Sequence, residues 1–267
     1  PTVTLMHGKN FNADYWTTTA QYLQSLGYGV LIPDQIGFGK SSKPTNYQYS
    51  FAALANHTHA LMDSLNIKES IVLGHSMGGM LASRFALMYP NTTSKLILLN
   101  PIGLENYLQY VDYKDTNFFY KNEFSKTPEG VRKYQQKNYY DGKWNAKYSA
   151  LTDFITGQIQ GPDKEQMAWV NAKTYDMIFT QPVITEFKDL AVPVKLIIGT
   201  RDRTGPGRNW KKDGVDYELG RYDKLGKHAA TLIPDAQLFE LDNLGHLPHI
   251  EDFERFKNVF KQALAAE

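Results

Sequence analysis

The sequence contains no cysteine, which excludes disulfide bonds, thiolate zinc ligands and a cysteine nucleophile. It also lacks a large excess of charge, because 29 basic and 28 acidic side chains leave a formal net charge of +1. Nucleic-acid-binding domains usually carry a basic face. The densest basic stretch, residues 201–212, is interrupted by glycine and proline and is predicted to be a solvated loop. No nucleic-acid partner is therefore expected.

Long apolar runs are missing as well, and none approaches the roughly 18 residues that a membrane-spanning helix needs. No signal peptide is visible. Because a strand is already predicted at Thr2, a leader that had been removed by processing would leave the same pattern. We expect a soluble protein without a membrane span. The compartment stays open between the cytoplasm and export with removal of a leader, and the oligomeric state is unknown.

Short apolar runs rich in β-branched residues alternate with helical patterns along most of the chain. Runs of this kind, apolar nearly throughout, are typical of parallel strands covered on both faces. Alternation of strand and helix predicts an α/β fold with a doubly wound, mostly parallel sheet. The predicted strands are Thr2–His7, Gly29–Pro33, Ser70–Leu73, Lys95–Leu99, Val194–Ile198 and Gln237–Leu241, and the predicted helices are 14–26, 51–66, 77–89 and 250–265.

The alternation stops in residues 101–191, which contain no convincing strand. Tyr107 to Phe154 carries 13 of the 35 aromatic residues (17 Tyr, 14 Phe and 4 Trp), about twice the chain average. We expect a helical lid, or cap, inserted into a core formed by residues 1–100 and 192–267. Whether the rings line a pocket or only pack the insert onto the sheet stays open. Helical patterns within the insert lie around 130–139 and 163–179.

The strongest motif is Gly74-His75-Ser76-Met77-Gly78-Gly79, between a predicted strand and an Ala- and Leu-rich helix. A serine hydroxyl needs exposure and a base to act as a nucleophile, and a sharp strand-to-helix turn provides the exposure. Glycines on both sides allow that turn, and the helix amino terminus offers N–H groups to an oxyanion. Phosphate binding is the competing interpretation, but no lysine follows as a P-loop requires. Ser76 is the predicted nucleophile.

A second motif, Leu5-Met6-His7-Gly8-Lys9-Asn10, ends the first strand. A tetrahedral intermediate of acyl transfer needs two preorganised donors near its oxygen. We predict the backbone N–H of Met77 as the first donor and that of Lys9 as the second, with Asn10 as an alternative. His7 is interpreted as a side chain that stabilises the turn.

Two further strand ends supply an acid and a base. Val194–Ile198 is followed by Gly199-Thr200-Arg201-Asp202, which puts a carboxylate at the carboxyl end of a late strand, where open α/β sheets build their sites. The preceding strand ends in Asn100-Pro101 and offers no carboxylate there, and Glu105 is assigned to the lid. We therefore predict Asp202 as the triad acid.

The base is predicted in Leu244-Gly245-His246-Leu247-Pro248-His249, after the last strand. His246 follows a glycine in a loop that can reach Ser76, whereas His249 adjoins the final helix and is interpreted as helping to start it. The chain order of serine, aspartate and histidine is that of hydrolases whose nucleophile lies on a strand-to-helix turn. Histidines 57, 59, 75 and 228 are read as surface or packing residues, and no metal or other cofactor is expected.

These motifs, together with Asp34–Ser41 (DQIGFGKS), resemble the α/β-hydrolase fold superfamily and, within it, its lid-bearing esterase-like members. The resemblance spans nearly the whole chain and implies a lid over the nucleophile that shapes the substrate pockets. Two features depart from the pattern. The one or two antiparallel strands that usually precede the strand with the oxyanion-hole motif are missing. The stretch between the predicted acid and the last strand, residues 203–235, is also long. Trp210, Tyr217 and Tyr222 in that stretch form either part of an entrance or a surface helix and turn.

The predicted activity is hydrolysis of a carboxylic ester through an acyl-enzyme, with a small-molecule substrate. The aromatic insert favours a small or medium apolar ester. A dehalogenase or an epoxide hydrolase would need an aspartate in place of Ser76. A carbon–carbon bond hydrolase, a lactonase and a perhydrolase stay open because the same triad serves each. A ligand-binding receptor on this fold is the alternative from another class.

Overall fold

The computed structural model describes residues 1–266, and its strands form a six-stranded sheet. The strands are β1 (Thr2–Met6), β2 (Gly29–Leu31), β3 (Ser70–His75), β4 (Thr93–Leu99), β5 (Val194–Gly199) and β6 (Ala236–Leu241). Their order across the sheet is β2-β1-β3-β4-β5-β6, and each neighbouring pair is parallel. The six predicted strands are confirmed, with ends that differ by at most two residues.

Burial explains the composition of the strands. Every residue of the interior strands β3 and β5 is buried, whereas the edge strands β2 and β6 are partly exposed. A parallel sheet covered on both faces requires apolar side chains at consecutive positions, which is why these segments are apolar nearly throughout.

Helices cover both faces of the sheet and also fill the segment between β4 and β5. Leu73 of β3 lies in the apolar cluster that includes α1 and α11 on one face, and its neighbour Val72 lies in the cluster on the opposite face that includes α2, α3 and α9. The doubly wound α/β prediction is therefore confirmed. The helices are α1 (Thr17–Ser25), α2 (Phe51–Ser64), α3 (Met77–Met88), α4 (Thr116–Phe124), α5 (Pro128–Asn138), α6 (Ala146–Ala150), α7 (Asp153–Gln160), α8 (Lys164–Thr180), α9 (Tyr222–Leu232), α10 (Pro248–Glu251) and α11 (Phe253–Ala265).

Two of the predicted helices have different ends in the structure. The first begins as a 3-10 turn, Ala13–Trp16, before α1. The last is divided into α10 and α11 at Asp252, whose backbone is not helical (φ −144°, ψ 86°) and whose carboxylate accepts the Arg255 N–H at 3.1 Å. This contact is an amino-terminal helix cap, so α11 begins anew after Asp252.

The segment between β4 and β5 contains α4 to α8. Of these, α5 and α8 correspond to the helical patterns in the sequence, while α4, α6 and α7 were not predicted. Polar caps start several of them: Asp115 accepts the Phe118 N–H at 2.8 Å, and Asn145 accepts the Tyr148 N–H at 2.9 Å. Short helices of this kind depend on caps and packing more than on periodicity, so sequence patterns miss them.

The first strand of the described residues, β1, pairs in parallel with β2 and β3. Its neighbour β2 has only three residues. Within residues 1–266, no helix has both the length and the apolarity to cross a membrane.

Candidate active site

Ser76 lies on a strained turn between β3 and α3. Its φ of 56° and ψ of −124° lie outside the regions that non-glycine residues favour, a conformation that costs about 1–3 kcal/mol and clusters at functional sites. The turn brings backbone segments too close for side chains on the neighbouring positions. A Cβ on Gly74 would lie 2.0 Å from the Gly78 oxygen, and one on Gly78 would lie 2.2 Å from the Met6 oxygen. Both glycines are therefore required by the turn.

The structure brings Ser76, His246 and Asp202 together at the carboxyl ends of β3, β5 and β6. The Nε2 atom of His246 is 3.0 Å from the Ser76 hydroxyl oxygen, and its Nδ1 atom is 2.7 Å from Oδ2 of Asp202. An ionised carboxylate only accepts hydrogen bonds, so Nδ1 carries the ring proton and Nε2 is free to accept the serine proton. Asp202 and His246 are fully buried, while Ser76 is 8% exposed.

Asp202 accepts hydrogen bonds from other groups besides His246. Its Oδ2 atom also accepts a hydrogen bond from Asn100 at 2.9 Å, and Oδ1 accepts the Thr204 N–H at 2.8 Å. Burial opposes ionisation, but the facing His246 ring and the hydrogen bonds outweigh it and lower the pKa of Asp202. Asn100 was not identified as a site residue from sequence, and its position at the end of β4, next to β5, is the signal that could have found it.

A chain of hydrogen bonds connects three loops of the site. Burial lowers the pKa of His75, so the ring is neutral and carries one proton. Its Nε2 atom faces the His246 carbonyl oxygen at 2.8 Å and must donate, so Nδ1 accepts from the Tyr15 hydroxyl at 2.9 Å. The Tyr15 oxygen in turn accepts the Gly8 N–H at 3.0 Å. Sequence analysis interpreted His75 as packing and did not identify Tyr15.

The two predicted oxyanion donors lie beside the nucleophile. Met77 is the first residue of α3, and a Cβ on Gly8 would lie 3.1 Å from the Ser76 Cβ, so the Gly8-Lys9 turn adjoins Ser76. Within residues 1–266, neither the Met77 nor the Lys9 backbone N–H has a protein acceptor. Asn10, the alternative, donates its side-chain amide to the Tyr139 hydroxyl at 3.1 Å.

The other two histidines of the motifs do not face Ser76. His7 donates from Nδ1 to the Gly8 oxygen at 2.9 Å and accepts the Gln35 N–H at Nε2, so it stabilises the turn as predicted. His249 is buried and stacks on Trp16 with ring centroids 4.6 Å apart. Burial lowers the pKa of His249 to about 3, which keeps the ring neutral.

A cavity of about 790 Å³ opens onto Ser76. Most of its wall comes from the segment between β4 and β5 and from residues 203–210. Its apolar and aromatic lining includes Ile102, Val131, Ile155, Ile178, Tyr139 and Trp210. No group of three or more histidine, aspartate or glutamate side chains within residues 1–266 is arranged to hold a metal ion.

The long stretch between β5 and β6 combines both structures considered for it. Trp210 lines the cavity, whereas Tyr222 begins α9 and donates to the Pro101 oxygen at 2.8 Å. Glu105, assigned to the lid from sequence, is buried and accepts the Gly220 N–H at 3.2 Å with both oxygens. Burial raises the pKa of Glu105 to about 7. Glu105 therefore connects the start of the segment between β4 and β5 to the stretch between Asp202 and α9.

Comparison with known proteins agrees with this fold. A family model described as the alpha/beta hydrolase fold matches residues 1–253. The solved structure of a probable hydrolytic enzyme from Pseudomonas aeruginosa PAO1 is 44% identical, with a TM-score of 0.96 over 99% of this chain and 85% of that one. Lipase 1 from Psychrobacter immobilis is 25% identical over 271 residues, which cover 96% of this chain and 74% of the lipase. A 2-hydroxy-6-oxo-6-phenylhexa-2,4-dienoate hydrolase from Burkholderia cepacia is 35% identical over 105 residues, 38% of this chain and 37% of that enzyme.

Proposed function

The chain belongs to the α/β-hydrolase fold family, and we propose that it is a serine hydrolase that cleaves carboxylic esters through an acyl-enzyme. The observation that carries the proposal is the continuous contact from the Ser76 hydroxyl through the His246 ring to the Asp202 carboxylate, at 3.0 and 2.7 Å. A nucleophile, a base within hydrogen-bonding reach and an acid that orients the base are the parts that acyl transfer requires.

In the first half of the reaction, the Ser76 oxygen forms a bond to the ester carbonyl carbon while its proton moves to Nε2 of His246. Asp202 stabilises the imidazolium that results. The negative charge on the carbonyl oxygen is met by the N–H groups of Met77 and Lys9, each worth about 2.7–4 kcal/mol of barrier. The carbon–oxygen bond to the alcohol then breaks, and the alcohol takes the proton from Nε2.

In the second half, water attacks the acyl-enzyme. Its proton passes to Nε2 of His246, the oxyanion forms again, and collapse of the intermediate breaks the bond to Ser76. The serine oxygen takes back the proton and the carboxylic acid leaves. The sum is ester plus water giving acid plus alcohol, and the scheme needs no cofactor.

Residues 101–191 form, in this proposal, a cap on the core of residues 1–100 and 192–267. Support comes from the cavity, whose wall on the side facing Ser76 is largely contributed by this segment. Its apolar and aromatic lining suits a substrate with a small or medium apolar body. The relatives named as a lipase and a dienoate hydrolase support hydrolytic activity on small molecules.

Labelling with a fluorophosphonate tests the nucleophile directly. We expect a single adduct on Ser76, together with turnover of p-nitrophenyl esters. In Ser76→Ala both should be lost, with kcat lowered by at least about 10⁴-fold. Ser83→Ala is the matched control, because Ser83 is a buried serine of α3 that bonds the Gly79 oxygen and should retain full activity. A labelled residue other than Ser76, or turnover by Ser76→Ala, would refute the proposal.

Carbon–carbon bond hydrolysis is the second candidate, favoured by the 35% identity to the Burkholderia cepacia dienoate hydrolase. The same triad serves both reactions, so the substrate decides between them. Assays on 2-hydroxy-6-oxo-6-phenylhexa-2,4-dienoate and on p-nitrophenyl hexanoate should be run side by side. A higher kcat/KM on the dienoate would replace the ester assignment.

A further inference from the structure

The cavity that contains Ser76 is unbalanced in charge, although the chain as a whole is nearly neutral. One acidic side chain, Glu123, lines it. Two of the basic groups, Lys133 and Arg203, have acidic partners outside the cavity. The basic residues of the lining are Lys9, Lys126, Lys133, Lys137, Arg203 and Arg208.

The part of this wall formed by Lys9, Glu123 and Lys126 contains two ammonium groups and one carboxylate. Glu123 is buried, and its carboxylate pairs with Lys126 at 2.6 Å. The Lys9 ammonium instead donates to the Asn171 carbonyl at 2.9 Å and to the Thr174 hydroxyl at 3.2 Å, which are both uncharged. One positive charge in this wall is therefore left without a carboxylate of its own.

Lys9 is half-buried, so its charge is partly desolvated. Burial lowers the pKa of Lys9 to about 8, against the opposing influence of Glu123. A cation in this condition is stabilised by an anion that enters the cavity, because an ion pair is stronger where water is excluded.

Gln135 on α5 is a second and independent observation. Its side chain is fully buried and lines the same cavity, yet within residues 1–266 neither the oxygen nor the nitrogen of its amide has a hydrogen-bonding partner. Buried amides are nearly always paired, so an unpaired one in a ligand-sized cavity points to a group on the ligand. Its N–H can donate to a carboxylate, and apolar side chains alone would leave it unpaired.

We propose that the substrate is an ester whose apolar body ends in a carboxylate, which pairs with Lys9 while Gln135 supplies a hydrogen bond. The inference rests on the proposed ester hydrolysis and narrows its substrate class. It agrees with the apolar lining near Ser76, since that lining contacts the chain between the ester and the anion.

Matched esters test this preference. Mono-p-nitrophenyl adipate and p-nitrophenyl hexanoate differ in that a carboxylate replaces the terminal methyl group. We expect kcat/KM for the adipate to exceed that for the hexanoate by at least about tenfold after subtraction of spontaneous hydrolysis. A ratio of one or less would overturn the proposal.

Substitutions show which side chains cause the preference for the adipate. Lys9→Met should lower the adipate-to-hexanoate ratio about tenfold and Gln135→Leu by several-fold, whereas Lys9→Arg should retain most of it. Movement of the Lys9 backbone would lower kcat/KM equally for both esters, and an equal loss cancels in the ratio. Lys188→Met is the matched control, because Lys188 is exposed and lies outside the cavity lining, and its ratio should not change. An unchanged ratio in Lys9→Met would refute the role of Lys9.

Binding to Ser76→Ala separates recognition from catalysis. Calorimetry with monomethyl adipate and methyl hexanoate measures the preference without any turnover. Tighter binding of the adipate that is lost in Ser76→Ala/Lys9→Met supports the inference even if the ester assignment fails. Equal binding of the two esters refutes the inference even if ester hydrolysis is established.

Discussion

The two sides of the cavity differ in how their polar groups are paired. On the sheet side, the groups that contact the Ser76–His246–Asp202 chain are paired: Asp202 accepts from Asn100, Thr204 and His246, and Tyr15 links His75 to Gly8. Behind them, within residues 1–266, the His249 ring and the Trp16 indole N–H have no hydrogen-bonding partner. On the opposite side, within residues 1–266, the Gln135 amide and the Trp210 indole N–H have no partner. The reactive side is organised before a substrate arrives, and the other side leaves hydrogen-bonding capacity for a ligand.

This contrast has a physical basis. Catalytic groups gain most when they are already oriented, because reorganisation during the reaction would raise the barrier. Recognition groups gain specificity when only the correct ligand satisfies them, because other ligands leave a buried polar group unpaired. Substitutions on the sheet side should therefore reduce rate, and those on the opposite side should change selectivity and stability.

The largest effect after loss of the nucleophile is expected for Asp202→Asn. An asparagine offers a donor as well as an acceptor to Nδ1 of His246 and no longer stabilises the imidazolium, so kcat should fall by about 10⁴-fold with a smaller change in KM. Steady-state kinetics on a p-nitrophenyl ester measure both. Asp242→Asn, which alters an exposed aspartate that bonds Thr200, is the control and should stay within twofold of wild type. Retention of a tenth of kcat in Asp202→Asn would contradict the triad.

The dependence of stability on pH tests the role of Glu105, which lies in the segment between β4 and β5. Burial raises its pKa from 4.5 to about 7, so between these values the folded state holds the proton more tightly than the unfolded state. The free energy of unfolding should therefore fall as pH rises from about 4.5 to 7 and level off above, by roughly 3 kcal/mol in total. Denaturant titrations at several pH values should show this loss in wild type and a smaller one in Glu105→Gln. Parallel curves for the two proteins would exclude Glu105 as the source.

Tyr15→Phe tests whether the hydrogen-bonded chain on the sheet side positions the site. The change leaves the Gly8 N–H and Nδ1 of His75 without a partner, which should cost about 1–3 kcal/mol of stability. We expect kcat to fall about tenfold and KM to stay within twofold, because the link acts on the His246 and Gly8 loops rather than on the cavity. Tyr22→Phe on α1 is the comparison variant and should change neither constant. A loss of stability with kcat unchanged would leave Tyr15 with a structural role only.

The smallest effect, and one of opposite sign, is expected for Gln135→Leu. Replacing an unpaired buried amide by an apolar group of similar size should raise the free energy of unfolding by about 1 kcal/mol while reducing selectivity for the carboxylate ester. Gln136→Leu is the neighbouring control, since its amide donates to the Gly142 oxygen at 2.7 Å and its removal should not stabilise. A less stable Gln135→Leu would show that this amide is satisfied in the free protein and would remove the contrast between the two sides.

Much of the core follows from local sequence. The six strands and four of the helices on the core were predicted because buried parallel strands and amphipathic helices leave periodic apolar patterns. The interruption of that alternation predicted helices without strands in residues 101–191, and the segment between β4 and β5 contains α4 to α8. Its helices α4, α6 and α7 were not predicted, because side-chain caps and contacts with distant residues define them more than periodicity does.

The residues of the site show the same difference between what local sequence predicts and what it misses. Ser76, Asp202 and His246, the proposed triad, were each predicted from a short motif at a strand end, where neighbours along the chain create the turn, and the structure brings the three into contact. Asn100 and Tyr15 were missed because their partners lie far away in sequence, 102 residues in the contact of Asn100 with Asp202 and 60 in that of Tyr15 with His75.

The sequence alone therefore determined the order of strands and helices and the motif residues at the carboxyl ends of the strands, since these depend on patterns a few residues long. Only the tertiary structure decided that the His246 ring faces Ser76 while His249 stacks on Trp16, and that Gln135 lies unpaired in a cavity with a surplus positive charge. Hydrogen bonds form only within about 3 Å. Whether two groups meet is thus set by how the helices and the insert pack on the sheet, which local patterns do not encode.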